Sequence, residues 1–177
     1  MLANKNITLR APEPEDLEVF YKWENDTSLW SYGSTITPFS RYMLKEYIAS
    51  GGGDFYQTRQ LRLMIVNKAD QSTVGMIDLF DFDPFHRRAA LGILIDPAHQ
   101  RQGFALQALT LLDAYAFRFL GIHMLFVHVP QCNEASIRLF EKAGFEDKGI
   151  LSDWIRIEDQ YEDVLIMQKR KRAGEDK

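Results

Sequence analysis

A single cysteine, Cys132, stands among 177 residues, which excludes an intrachain disulfide and a thiolate cluster around a metal. The four histidines (His86, His99, His123, His128) fall in no HExxH or similar spacing, so no metal is expected. No apolar run approaches the ~18 residues of a membrane span, and the first residues do not read as a charged-then-apolar signal. Basic charge is in short supply: 21 Lys and Arg face 25 Asp and Glu, for a net charge of −4. A nucleic-acid footprint is usually basic. No Gly-x-x-x-x-Gly-Lys-(Ser/Thr) loop occurs, which argues against a nucleotide-binding module. These absences leave a cytoplasmic protein as the expectation, with no nucleic acid and no membrane among its partners.

What is present is an ordinary globular mixture, 46% hydrophobic and 26% charged, enough for one domain with a full core. The expected domain is 1–170, followed by a charged, solvated tail at 171–177. Ile7–Arg10 alternates as a strand. The following segment carries acids early and Leu17, Phe20 and Tyr21 at helical spacing. Thr37 and Pro38 predict a second helix start, as cap and first turn, with Phe39, Met43, Tyr47 and Ile48 buried. Gly51–Asp54 reads as a flexible stop. Two strands flank a polar turn at Asn67–Ser72. The run Ala89–Asp96 has the continuous apolar character of a strand buried on both faces. A long helix follows, with Ala105, Ala108, Leu109, Leu112, Ala116 and Phe119 on one side. His123–Val129 reads as another strand. The next helix has Asn133 as its cap and Gly144 as its stop. Two strands near Lys148–Ile155 and Tyr161–Gln168 close a mixed, mostly antiparallel α/β sheet flanked by about four helices.

One polar, glycine-bearing stretch, Gln100-Arg101-Gln102-Gly103-Phe104-Ala105, leads straight into the long helix. A helix start offers unpaired amides and a positive dipole end, which suits an anion. Gly103 lacks a Cβ and lets backbone approach phosphate oxygens closely. The stretch resembles the (Gln/Arg)-x-x-Gly-x-(Gly/Ala) signature of the GNAT superfamily of acyl-CoA-dependent N-acyltransferases. The likeness runs over nearly the whole chain and includes NEASIRLFEKAGFEDKG (Asn133–Gly149). More narrowly, FHRRAALGILIDPAHQRQGFA (Phe85–Ala105) and WIRIEDQYEDVLIM (Trp154–Met167) are similar to the branch of spermidine/diamine and ribosomal-protein N-terminal acetyltransferases.

The resemblance implies a GNAT fold and acetyl-CoA as co-substrate. Gln100 to Ala105 would hold the pyrophosphate, with Arg101 adding a cation. The backbone of Ile93, Leu94 and Ile95 would line the pantetheine arm where neighbouring strands splay, and Asn133, Ser136 and Phe140 would face it from the other side. It implies direct acetyl transfer, in a ternary complex, to a primary amine: a polyamine, another small amine or a peptide N-terminus. The alternative is a silent acyl-CoA-binding sensor or scaffold. A homo-oligomer is compatible with either.

Two of the family's proton handlers are missing. The tyrosine position is Phe140, and the glutamate position on the central strand is Ala90. A thiol with a pKa near ~8.5 still leaves tolerably at neutral pH. Asp81, His86 and Tyr161 are the replacement candidates, while Tyr115, beside the buried helix face, and His128, equally readable as a core histidine, rank lower. For the acceptor, Asp78 and Asp81 are expected on opposite strand faces because their separation is odd. The resemblance places Asp81 at a polyamine-contacting position. Tyr32 is a further candidate, in an aromatic wall with Trp23, Trp30, Phe39, Phe82 and Phe85. The segment before Pro38-Phe39, acidic in the spermidine branch, is Gly33–Thr37 and carries no acid.

Overall fold

The computed structural model describes residues 1–30, 35–50 and 53–171. Tyr32 and Gly33, the glycines Gly51 and Gly52, and residues 172–177 of the expected tail lie outside them. The elements in chain order are β1 (Ile7–Arg10), α1 (Leu17–Glu24), α2 (Thr27–Trp30), α3 (Arg41–Ala49), α4 (Phe55–Thr58), β2 (Leu61–Asn67), β3 (Thr73–Asp83) and β4 (Arg88–Ile95), then α5 (Phe104–Ala114), β5 (Met124–Pro130), α6 (Glu134–Lys142), β6 (Glu146–Ile157) and β7 (Gln160–Arg170). The strands form one sheet in the order β1-β2-β3-β4-β5-β7-β6. Every pairing is antiparallel except β4 with β5.

Strand alternation sorts the side chains onto two faces. On one, Leu63, Ile65, Ile77, Leu79, Ala89, Leu91, Leu125 and Val127 pack against Ala108, Leu109 and Leu112 of α5 and Phe140 of α6. On the other, Met64 and Met76 pack with Phe20 and Trp23 of α1 and Leu44 of α3. Helices α1 and α3 thus cover β2 to β4 on the face opposite α5.

Several expectations are corrected. The second helix begins at Arg41 rather than Thr37, because the Ser40 hydroxyl accepts from the Met43 amide. That later phase buries Leu44 and Ile48 and leaves Met43 exposed. The long helix passes at Tyr115–Phe119 into a π turn, whose wider pitch rotates the buried stripe. Phe117 is therefore buried, and Phe119 points to solvent. Phe82 joins the α5-side core and stacks on Phe55 at 4.4 Å, while Phe85 is 87% exposed. The proposed aromatic wall is therefore not assembled by these two residues. His128 is exposed, not in the core.

The C-terminal end of α6 follows the sequence closely. Gly144 adopts φ +87°, its amide bonds the Glu141 carbonyl, and the Phe145 amide bonds the Phe140 carbonyl. This is a Schellman stop with its usual hydrophobic clasp, here Phe140 against Phe145 at 5.2 Å between ring centroids.

Candidate active site

The single parallel pair is where the sheet opens. β4 and β5 pair only through Arg88↔Met124, Ala89↔Leu125 and Ala90↔Phe126. Among the described residues, Leu91 to Ile95 have strand partners on the β3 side alone. The predicted double-sided burial accordingly holds for Ala89–Leu91, whereas Gly92–Ile95 are half-buried. Backbone N–H and C=O groups bordering this gap are the partners that an amide-bearing chain such as pantetheine requires.

At the end of the gap the chain turns through Pro97–His99 into the loop. Arg101 and Gly103 both have left-handed backbone, at φ +61° and +80°. Gly103 is the N-cap of α5, and among the described residues no side chain caps that helix. Its first amides are left for a ligand, and a glycine in this geometry keeps the approach free of a Cβ. Asp96 anchors the loop to the far face of the sheet. Its carboxylate accepts from the Ala98 amide, from Lys22 Nζ at 2.7 Å and from Trp23 Nε1 at 2.8 Å, both on α1. Burial alone would raise this carboxyl, but these donors pull it down to about 2, so it stays ionised at any neutral pH. Across the gap, Asn133 caps α6 by accepting from the Ser136 amide at 3.1 Å. Phe140 is 5% exposed within the core.

On the α1 face lies a buried charge group that sequence reading missed. Arg62 Nε and Nη2 each reach an Asp78 oxygen at 2.8 Å, and Nη1 reaches Glu24 Oε1 at 2.6 Å. Burial pushes Asp78 above its ordinary value, against the pull of Arg62. Burial also works to lower Arg62, but Asp78 and Glu24 raise it beyond the usual arginine range. One guanidinium serves two carboxylates, so with both ionised the group carries one net negative charge. The only signal in the sequence was an arginine inside the apolar run Leu61–Val66.

The odd-separation argument for Asp78 and Asp81 fails because β3 is not regular there. Its register with β4 shifts between Phe80 and Asp83, and Asp81 is left-handed at φ +49°, the mark of a bulge. Leu79 and Phe82 consequently share a face, and Asp81 is exposed between the Phe80↔Ala90 and Asp83↔Arg88 pairs. His86 lies in the β3–β4 turn, its amide held by Asp83 Oδ1. Tyr161 is 64% exposed near the start of β7, beyond the Pro130↔Val164 pair. The two lie past opposite ends of β5, at least ~20 Å apart at ~3.3 Å per strand residue, so they do not act as one acid–base pair.

Residues 6–146 match the acetyltransferase (GNAT) domain family. The chain belongs to this family. It is 30% identical over 164 residues to spermidine N(1)-acetyltransferase of Vibrio cholerae, covering 93% of this chain and 92% of that protein. It is 27% identical to the putative ribosomal N-acetyltransferase YdaF of Bacillus subtilis, covering 97% and 95% of the two chains. The crystal structure of the Vibrio cholerae enzyme in complex with CoA and spermine superposes with a TM-score of 0.83 at 29% identity, over 94% of this chain and 96% of that one. This GNAT protein is an N-acetyltransferase that uses acetyl-CoA. The open β4 edge and the uncapped α5 terminus fit that co-substrate.

Proposed function

We propose that this acetyltransferase acts on a primary amine of a small polycation of the spermidine class. The observation that carries the reading is the Glu24–Arg62–Asp78 group, with its net negative charge on the α1 face. Asp78 is registered opposite Gly92, which has no side chain, so the group stands one strand in from the gap on the side away from α5. A cationic amine arriving from the α1 face meets negative charge just before the thioester. The names of the relatives support the same class. In this reading Gln100 to Ala105 hold the pyrophosphate, and Ile93 to Ile95 with Asn133 and Ser136 guide the pantetheine. Asp81 and Asp78 face the acceptor side.

A peptide α-amine is the second reading, favoured by the missing family acids at Ala90 and Phe140. A primary alkyl amine with a pKa near ~10.4 costs ~4–5 kcal/mol to neutralise at pH 7, against ~1 for an α-amine near ~8. The test offers acetyl-CoA with spermidine, a monoamine or a short peptide and follows free thiol. Spermidine is expected to turn over best. Asp81→Asn should raise the KM for spermidine about tenfold, the effect of losing ~1.4 kcal/mol of binding, and leave that for acetyl-CoA unchanged. Turnover confined to the peptide would overturn the polyamine reading, and no turnover with tight acetyl-CoA binding would favour the silent sensor.

Phe140→Tyr restores the family's phenol. A placed acid contributes ~10²-fold or more, whereas an unpartnered hydroxyl in this core costs about 1–3 kcal/mol. A modest rise in kcat with a lower Tm and unchanged acetyl-CoA affinity is expected. If kcat does not rise, proton delivery to the leaving sulfur is not rate-limiting.

A further inference from the structure

Read across the α1 face, the strand registers align one row of residues. Arg62 pairs with Asp78, and Asp78 with Gly92. Ala90 pairs with Phe126, the last pair before the strands part, so the same register carried two residues onward puts His128 across the gap from Gly92. His128 in turn pairs with Ile166 of β7. Leu125, Val127 and Val129 of β5 point into the α5-side core, so alternation turns Phe126 and His128 to the α1 face. The His128 ring stands edge-on to Phe126 at 5.6 Å between centroids, and the residue is exposed. The helices on this face pack over Met64, Met76 and Leu94. The carboxylate group therefore stands one strand in from the gap, on β3, and an accessible imidazole stands on the far lip, with the Phe80 ring edge beside Gly92 on the same face.

We propose that His128 is the general base of the transfer, a role the chain's Ala90 cannot fill. This rests on the reading that the thioester lies in the β4–β5 gap. The neutral imidazole accepts one proton from the acceptor R–NH3+, leaving R–NH2. The nitrogen lone pair forms the C–N bond to the thioester carbonyl, and the C–S bond breaks with its electron pair on sulfur. A second proton passes from nitrogen to the thiolate, giving the CoA thiol, and the third stays on the amide. The imidazolium returns its proton to water, so R–NH3+ and acetyl-CoA become R–NH–acetyl, CoA–SH and H+. Histidine suits this task because its ordinary titration lies near neutrality.

The test compares wild type, His128→Ala and His128→Gln with acetyl-CoA, once with spermidine and once with water as the only acceptor. Because His128 is exposed, both variants are expected to fold with wild-type Tm and to bind acetyl-CoA with unchanged Kd. A general base contributes ~10²–10⁴-fold, so kcat is expected to fall at least ~10²-fold with spermidine while its KM moves little. The slow hydrolysis of acetyl-CoA should fall in parallel, and added imidazole should partly restore His128→Ala. Wild-type rates in both arms for either variant would overturn the proposal. If the wild type ignores spermidine, the acceptor class is wrong, and the hydrolysis arm still decides the role of His128. Loss of acetyl-CoA binding in the variants would make His128 a binding residue and likewise overturn the proposal.

Discussion

Gly103→Val is expected to abolish acetyl-CoA binding in a protein that remains folded. A Cβ at Gly103 would meet only Gln107 Nε2, at 4.0 Å, so no steric conflict with the protein arises. The cost to the fold is the left-handed backbone at φ +80°, about 1–2 kcal/mol for an L-residue and more for a β-branched one. That is a shift of several degrees in Tm for a chain of this size. For the ligand the change is larger. Either the branched side chain stands where the phosphate oxygens approach, or the N-cap relaxes and swings the first amides of α5 away. A loss of at least ~100-fold in affinity, about 2.7 kcal/mol, is expected by calorimetry. Unchanged affinity in a folded variant would remove the pyrophosphate from this loop.

Arg62→Met carries the largest expected effect on stability. It leaves Asp78 and Glu24 buried without their shared counter-ion, a change that typically costs ~3–5 kcal/mol, or ~6–20 °C in Tm at this chain length. The pH dependence follows in sign. Without the guanidinium, nothing offsets the burial that already raises Asp78, and its carboxyl moves further above its unfolded value. The folded state then binds that proton more tightly, so stability is fully present below the unfolded value and is lost as pH rises through the raised one. Acidification from about pH 7.5 to about pH 5.5, a span above the unfolded carboxyl values, should restabilise the variant far more than the wild type. Spermidine at neutral pH should raise the variant's Tm more than that of the wild type, because two carboxylates have become available. Thermal unfolding with and without spermidine checks both. A variant indifferent to spermidine would show that the acceptor does not reach this group.

The parts legible in the sequence are those written in local patterns. The α6 stop needs only Gly144 and two phenylalanines five positions apart in register with a helix end. The strand–loop–helix at Ile95–Phe104 needs only an apolar run, a glycine and a resumed period. The parts that escaped depend on an interruption or on distance along the chain. Parity placed Asp78 and Asp81 on opposite faces, but parity holds only while a strand is regular, and the bulge at Asp81 inserts one residue. Helical spacing put Phe119 in the core until the π turn altered the pitch. The pairing of Glu24, Arg62 and Asp78 joins α1, β2 and β3, and no window of sequence contains it. His128 looked apolar by company, since Val127 and Val129 flank it, and only the face of β5 shows that it looks outward.

The opening between β4 and β5 has a consequence for the protein's life before it meets its substrate. Among the described residues, two antiparallel half-sheets, β1–β4 and β5–β7, share three residue pairs, helped by Lys169, which ties Asp113 at the end of α5 to the Ala143 carbonyl beyond α6. Leu91–Ile95 is an apolar, β-prone segment with one backbone edge unpaired, the type of edge that recruits foreign strands and seeds aggregation. A pantetheine arm seated along that edge would saturate the same hydrogen-bonding groups. The co-substrate then guards the chain against self-association as well as serving its chemistry, and the empty protein is the form at risk.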